Sequence, residues 1–335
     1  MKILQIMILT LFMSGCANAK TPTIFARLDV AGDSLPVISH MIDMKMSGDT
    51  LLFVYEGKKG YGQRNFRRAI VDSNNNTLTV SSDIGKREDG YYVSYMPYPF
   101  IAENGTIMAV GQDDCEVYTV ESDTMLVRTK QYLMDANSIV PFPLSQYVQD
   151  IFQMEPDRYV FIGREPKGGA QFAMISDIMS SKVDTIKQIK ISPGLQTWMP
   201  NMGELVYSHK YKRLAFAYKL HPIIDVFDIA GNMISSVRIG EDTFDPKTLD
   251  EADFDDLNIL HTVDVTYTPD YIYVLYWGCK YVDSANDKSS IIKLDWNGNI
   301  VASYNNLNGP LYRISAVNDS TVIGWTGKDF VLFQL

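Results

Sequence analysis

The chain has 335 residues, 46% of them hydrophobic, and carries a formal net charge of -10. Its 20 tyrosines, 15 phenylalanines and 22 glycines fall in short apolar runs separated by turns, which is typical of many β-strands. Nucleic-acid binding needs clustered lysine and arginine, so the acidic balance argues against a nucleic-acid partner.

The N-terminus has the form of a signal peptide. Lys2 is followed by the apolar stretch 3–13, which is shorter than the roughly 20 residues that a membrane-spanning helix needs. Two small residues then precede Cys16, an arrangement similar to a bacterial lipobox, in which the cysteine is acylated. The alternative is cleavage after Ala19, which would release a soluble protein.

These features predict three segments. Residues 1–15 are expected to be a signal peptide, residues 16–22 a tether to the lipid anchor, and residues 23–335 one domain. The protein would then be exported and held in a bacterial cell envelope through lipidated Cys16, and no acidic cluster follows this cysteine, which favours the periplasmic side.

A turn followed by an apolar strand recurs six times after the leader. The repeated segments start at Asp49, Gly105, Asp157, Lys212, Asp270 and Asp319. Their starts are 49 to 58 residues apart, and six such intervals fill residues 16–335. Each repeat offers four strands, a unit that must stack on others to bury both faces. The pattern predicts an all-β, six-bladed β-propeller with four antiparallel strands per blade.

The sixth repeat ends after three strands, at Leu335. Residues 23–30 alternate as a strand, so we expect this N-terminal segment to pair with residues 330–335 and close the last blade. The alternative folds are a pair of β-sandwiches or a solenoid.

Two turn motifs and the leader carry a family resemblance. Asp228-IAGN and Asp295-WNGN, with the repeated strands, resemble TolB-like six-bladed propeller lipoproteins of Bacteroides-type envelopes. The resemblance implies a protein of undetermined function that binds a partner or ligand at the cell envelope.

Common catalytic motifs are absent from the sequence. There is no H-E-x-x-H, C-x-x-C, P-loop or G-x-S-x-G motif, and the chain has only four histidines. We therefore predict no cofactor and no metal, and favour a non-catalytic role.

The longer loops predict where a ligand binds. In a propeller, the fourth-to-first and second-to-third connections emerge on one face, here named the long-loop face. Its longer loops are residues 56–65, 86–95, 164–171, 193–202, 240–260 and 277–290. Function concentrates on such loops. The ligand-binding candidates are His40, Arg64, Tyr98, Trp198, His261, Tyr312 and Arg313.

The candidates were chosen for their predicted position and side-chain chemistry. His40 and His261 begin innermost strands, beside the central channel. They either share a ligand or metal, or are neutral, hydrogen-bonded histidines that line a wet channel. Arg64 belongs to a predicted basic loop that also contains Lys58, Lys59, Arg67 and Arg68. Tyr98 and Trp198 offer rings that stack on sugars or anchor a protein.

The long-loop face also carries a predicted acidic run before the fifth blade. It consists of Asp242, Asp245, Asp250, Glu251, Asp253, Asp255 and Asp256. Either charge run is equally explained as a solvated loop, and the acidic one is also a candidate for Ca²⁺.

The main hypothesis is a monomeric binding propeller that holds an envelope protein or glycan on the long-loop face and touches the membrane only through its lipid anchor. The alternative is a hydrolase or lyase at the channel mouth, with His40, His261, Tyr312 and Arg313 as acid, base and anion contacts.

Overall fold

The structure is a computed structural model. It describes residues 19–20, 23–32, 34–36, 38–57, 64–85, 97–102, 104–111, 116–120, 124–131, 150–155, 158–164, 170–177, 182–190, 199–241, 259–283, 289–305, 307 and 309–335. No helix among these residues is long and apolar enough to cross a membrane.

The described residues are organised almost entirely as strands. They are β1 Ala19–Lys20, β2 Thr23–Arg27, β3 Asp29–Gly32, β4 Ile38–Ser47, β5 Thr50–Gly57, β6 Arg64–Asp72, β7 Thr77–Val80, β8 Pro97–Ile101, β9 Ile107–Gly111, β10 Glu116–Val120, β11 Leu126–Gln131, β12 Ile151–Glu155, β13 Arg158–Arg164, β14 Ala170–Asp177, β15 Lys182–Ile189, β16 Gly203–Ser208, β17 Arg213–Tyr218, β18 Ile223–Asp228, β19 Met233–Arg238, β20 Ile259–Tyr267, β21 Tyr271–Lys280, β22 Ser290–Asp295, β23 Ile300–Tyr304, β24 Arg313–Asn318, β25 Thr321–Trp325 and β26 Phe330–Gln334. Short 3₁₀ helices span Met199–Asn201 and Tyr281–Asp283.

These strands form sheets that follow the predicted repeat. In chain order, the sheets are β4 to β7, β8 to β11, β12 to β15, β16 to β19, β20 to β23 and β24 to β26, here called the first to sixth sheets. Each of the first five is an antiparallel meander of four strands, and the apolar segment of each repeat becomes the second strand. The predictions of an all-β propeller and of four-stranded blades are confirmed.

Apolar clusters join each sheet to the next, and the sixth sheet to the first. They include Phe66 and Tyr118 (first and second), Phe100 and Tyr159 (second and third), Val160, Phe216 and Val274 (third to fifth), Tyr273 and Ile314 (fifth and sixth), and Phe53 and Trp325 (sixth and first). The sheets therefore pack face to face around one axis, with β4, β8, β12, β16, β20 and β24 innermost. Radial stacking buries the two apolar faces that each sheet has.

The N-terminal segment supplies the fourth strand of the sixth sheet. β2 pairs antiparallel with β26, from Thr23 opposite Gln334 to Arg27 opposite Val331. The predicted single strand over residues 23–30 is wrong in its extent, because the strand breaks at Leu28. Leu28 is buried between the first and sixth sheets.

Beyond that break, the chain joins the neighbouring sheet. β3 pairs parallel with β7 and becomes a fifth strand of the first sheet. The short β1 likewise pairs parallel with β23 in the fifth sheet. The predicted tether of residues 16–22 thus includes two residues that form part of a sheet.

Both family-like turn motifs form the same structure. Asp295 Oδ1 accepts hydrogen bonds from the backbone nitrogens of Asn297 and Asn299, each 2.9 Å long, and Asp228 caps its own turn in the same way. Gly298 adopts a φ of +88°, where a side chain would be strained. β22 and β23 are joined by a four-residue turn, residues 296–299, which the aspartate organises.

Candidate functional site

Polar side chains occupy equivalent positions at the innermost strand of every sheet, around the axis. In the six sheets they are Asp43, Tyr98, Asp150, Glu204, Asp264 and Arg313, here called the central ring. The first five surround a small cavity of about 40 Å³ on the axis. The middle of the channel is therefore closed by packed polar groups.

Hydrogen bonds connect this ring from sheet to sheet. Backbone nitrogens donate to ring carboxylates from Leu205 to Asp150 (2.8 Å), from Val265 to Glu204 (3.0 Å) and from Ile314 to Asp264 (2.6 Å). Each donor directly follows the ring residue of the next sheet. Arg313 continues the series, because its Nε donates to the carbonyl of Ile42, 2.8 Å away in the first sheet.

Buried cations balance the ring carboxylates. Lys219 Nζ lies 3.0 Å from Glu204 Oε1, and Lys45 Nζ lies 2.8 Å from Asp43 Oδ2. Burial opposes a charge on Arg313, but the carboxyl groups around it, Asp264 first, raise the pKa of Arg313 above its ordinary value. Arg313 therefore stays charged.

The ring carboxyls differ in protonation. Burial, with the negative charge of Glu204, raises the pKa of Asp264 well above its usual range. Burial would also raise the pKa of Glu204, but the charges of Lys219 and Arg313 and a hydrogen bond with Asp264 lower it. Of these two carboxyls, Asp264 therefore binds a proton more strongly than Glu204.

Asp150 predicts a pH dependence of stability. Burial raises the pKa of Asp150 to about 7, from 3.8. Between those values the folded protein holds a proton that the unfolded chain releases, so this group's contribution to stability falls as pH rises from about 4 to about 7. Asp150→Asn keeps an oxygen for the Leu205 nitrogen and removes the titration. As the pH rises from 5 to 8, we expect the free energy of unfolding of Asp150→Asn to increase by on the order of 1 to 4 kcal/mol relative to that of the unchanged protein. Urea unfolding at each pH measures this difference.

The exposed Asp29, changed to asparagine, is the matched control and should show no such gain. If Asp150→Asn and the unchanged protein had parallel stability curves over this range, the buried titration would be refuted.

A cavity of about 580 Å³ opens from the central ring toward the long-loop face. Its walls come from the starts of innermost strands and the ends of second strands. The lining residues are Ile38, His40, Met41, Lys219, Leu260, Thr262, Val263, Trp277, Tyr281, Tyr312, Arg313, Trp325, Thr326, Gly327 and Lys328. This lining, here called the channel mouth, contains three strong cations and no carboxylate.

Aromatic rings form one side of the channel mouth. The Trp277 indole donates from Nε1 to the carbonyl of Leu311 at 3.0 Å, which fixes its orientation. Tyr312 packs edge-on against Trp277 at 5.6 Å between ring centroids, and Tyr281 lies on its other side at 6.2 Å. Because Tyr281 is 45% exposed, its ring is available to a ligand.

His40 stands at the rim of this mouth, and its side chain is partly exposed. Burial and then the charge of Arg313 lower the pKa of His40 below its usual value. Lys219 and Arg64 act in the same direction, and Glu56 opposes them. His40 is consequently a neutral imidazole at neutral pH.

The structure brings together only part of the predicted site. His40, Tyr312 and Arg313 line the channel mouth. His261 does not line it: it is 1% exposed, with Nδ1 3.4 Å from the Tyr276 hydroxyl. The structure does not bring His40 and His261 to a shared cavity, because the His261 side chain is buried and does not line the channel mouth.

Arg64 and Tyr98 pair with each other instead. The Arg64 guanidinium lies 4.9 Å from the centre of the Tyr98 ring, and both side chains are buried. The predicted basic loop is also wrong where it is described, because Arg64, Arg67 and Arg68 lie within β6. Arg67 Nε contacts Asp83 Oδ1 at 2.6 Å.

Other predicted features lie outside the described residues. These are Cys16, Lys58, Lys59, Trp198, the acidic run 242–256 and most of the long loops. Among the described residues, no group of three or more histidine, cysteine, aspartate or glutamate side chains is arranged to hold a metal ion.

The opposite face has a cavity of about 690 Å³, lined by the first-to-second turns, among them Gly48, Pro269 and Asn318. Lys45 lies at its inner end. The two cavities are thus separated by the central ring.

Several residues of this site were not predicted from the sequence. Lys219, Tyr281 and Lys328 each follow the second strand of their repeat, and Trp277 lies in the last half of such a strand. This shared position was the available signal. The acids of the central ring also recur, six to eight residues before the start of four of the six repeated segments.

Comparisons with known proteins identify the fold. No family model matches the chain, and no curated protein matches it. A member of the DUF4221 family from Bacteroides vulgatus superposes with a TM-score of 0.61 at 10% identity, over 95% of this chain and 98% of that one. A protein from Bacteroides fragilis described as exported gives 0.54 at 11% identity, over 92% and 93%.

A protein of unknown function from Bacteroides thetaiotaomicron gives a TM-score of 0.52 at 12% identity, over 92% of this chain and 75% of that one. At such low identity the likeness establishes the fold alone. The chain is an all-β propeller similar to propellers of unknown function from Bacteroides species.

Proposed function

We propose that this protein is a non-catalytic binding propeller that holds a glycan in the channel mouth. The main support for this proposal is the cavity of about 580 Å³, in which an exposed tyrosine, Tyr281, lies beside Trp277, a tryptophan held in one orientation. This volume is within the usual range for small ligands, whereas a protein partner needs a contact of about 800 Å² per side. Aromatic rings with nearby polar donors suit sugar rings, which have apolar faces and hydroxyl edges.

The lining favours binding over catalysis. Glycoside hydrolysis ordinarily needs two carboxyl groups, and the described lining has neither aspartate nor glutamate. It also lacks serine and cysteine, so His40 has no adjacent nucleophile of those types to activate. The hydrolase or lyase alternative rests on neutral His40 beside Arg313. Turnover of a bound sugar that disappears in His40→Gln would favour it.

The number of blades and the cellular localisation are also proposed. The six sheets would be the blades of one six-bladed ring of TolB-like type, supported by the apolar clusters that join neighbouring sheets. The lipobox-like tetrapeptide before Cys16, and a fold neighbour described as exported, support a monomer anchored in the envelope on the periplasmic side. Cys16→Ala should move the protein from the membrane fraction to the soluble fraction, and unchanged fractionation would exclude the anchor.

Tyr281→Ala tests the glycan site. The purified protein is screened against neutral and acidic oligosaccharides of three to five units, and the tightest one is titrated by calorimetry. Loss of an aromatic platform worth about 0.5–1.5 kcal/mol should weaken binding roughly 3- to 10-fold.

Tyr211→Ala is the matched control, because Tyr211 is 40% exposed and belongs to a first-to-second turn on the opposite face. It should bind as the unchanged protein does. If no oligosaccharide binds, or if the two alanine variants bind equally, glycan binding at the channel mouth is wrong.

A further inference from the structure

The channel mouth is positively charged in a protein whose net charge is -10. Lys219, Arg313 and Lys328 line it, and its described lining contains no acid. A cluster of one sign inside a cleft with apolar walls attracts ligands of the opposite sign.

None of the four acids of the central ring lines the mouth. Both oxygens of Glu204 are already engaged, one with the Lys219 ammonium at 3.0 Å and one with the Val265 nitrogen at 3.0 Å. Asp264 Oδ2 accepts a hydrogen bond from the Ile314 nitrogen at 2.6 Å, and burial raises the pKa of Asp264, which weakens its negative charge. The cations of the described lining are therefore the charged groups that a ligand would meet in the mouth.

Arg313 is held in a fixed orientation at this base. Its Nε donates to the Ile42 carbonyl at 2.8 Å, and Nη1 donates to the carbonyls of Tyr312 at 2.9 Å and Val263 at 3.2 Å. These bonds use Nε and Nη1, and no described residue accepts a hydrogen bond from Nη2, which is the group that a ligand would meet. A guanidinium oriented in advance binds an oxyanion without losing side-chain freedom.

We propose that the ligand of the channel mouth is an acidic sugar, whose ring carries a carboxylate or a sulfate. The ring lies along Tyr281, and its oxyanion points to Arg313 and Lys219. Lys328, exposed on the loop between β25 and β26, contributes charge from the rim. This inference rests on the proposed glycan-binding function and assigns the class of glycan.

Matched sugar pairs separate charge from shape. Calorimetry would compare trigalacturonic acid with its fully methyl-esterified form, and a sulfated galactose trisaccharide with its desulfated form. We expect the charged member of at least one pair to bind tenfold or more tightly than its neutral partner, and that affinity to fall as sodium chloride rises from 50 to 300 mM. The pair whose charged member binds more tightly shows whether the site prefers a carboxylate or a sulfate.

Lys328→Glu should weaken binding of the charged sugar about 3- to 10-fold more than it weakens binding of its neutral partner. Lys190→Glu makes the same charge change at an exposed residue outside the cavity lining and should bind normally. Equal affinity for charged and neutral members would overturn the acidic-sugar inference while glycan binding stands. If none of the four sugars binds, this inference fails, and the oligosaccharide screen separately decides the proposed function.

Discussion

Replacing Glu204 with alanine is expected to lower the free energy of unfolding by about 3–5 kcal/mol. The side chain is 9% exposed, its Oε1 contacts Lys219 Nζ at 3.0 Å, and its Oε2 accepts the Val265 nitrogen at 3.0 Å. Alanine would leave a buried ammonium without its carboxylate and a backbone donor without its acceptor. Urea unfolding followed by tryptophan fluorescence measures the difference.

Two variants separate the ion pair from general sensitivity to substitution. Glu155→Ala removes a carboxylate that is 54% exposed and contacts Arg158 at 3.1 Å, and should cost no more than about 1 kcal/mol. Glu204→Gln combined with Lys219→Met removes both charges and keeps an acceptor for Val265. It should recover much of the loss. A Glu204→Ala protein within 1 kcal/mol of the unchanged one would show that the central ring does not hold the sheets together.

Deleting residues 20–30 is expected to lower the melting temperature by about 10 °C or more, or to cause aggregation. The deletion removes β2, whose backbone pairs with β26, and Leu28, whose nitrogen donates to the Phe330 carbonyl at 3.0 Å. It also removes the ion pair between Arg27 and Asp329. The sixth sheet would be left with an exposed edge and an uncovered apolar surface.

Point substitutions test the same closure without changing the chain length. Leu28 is 4% exposed between the first and sixth sheets, so Leu28→Ala should cost about 2–5 kcal/mol. Val30 is 40% exposed two residues later, and Val30→Ala should change stability little. Equal melting temperatures for the deleted and full-length proteins would contradict closure by β2.

The sequence predicted the sheets because their signal is local and repeated. Each repeated segment begins within two residues of an observed second strand, as Asp49 does before β5 and Asp319 before β25. Closure by the N-terminus was predictable because the last repeat lacked one strand. The break at Leu28 was not, since it depends on the sixth and first sheets meeting at that residue.

The central ring illustrates why much of the site was missed. Glu204 and Asp264 each stand alone among apolar neighbours in a strand, where an acid is ordinarily assigned to solvent. Their partners lie 61 and 50 residues ahead, in the next sheet. Only the stacked arrangement reveals that the acids are buried and bonded. The prediction for His261 failed for a related reason, because the position of a residue in a strand does not show whether its side chain is buried.

The central claim is that the channel mouth binds a glycan, and a crystal structure grown with the tightest-binding oligosaccharide tests it most directly. We expect density for a sugar ring against Tyr281, within hydrogen-bond distance of Arg313 or Lys219, and a lower occupancy of the sugar in crystals of Tyr281→Ala grown at the same subsaturating ligand concentration. A sugar bound in the cavity of the opposite face, or on the outer surface of a sheet, with the channel mouth empty, would contradict it.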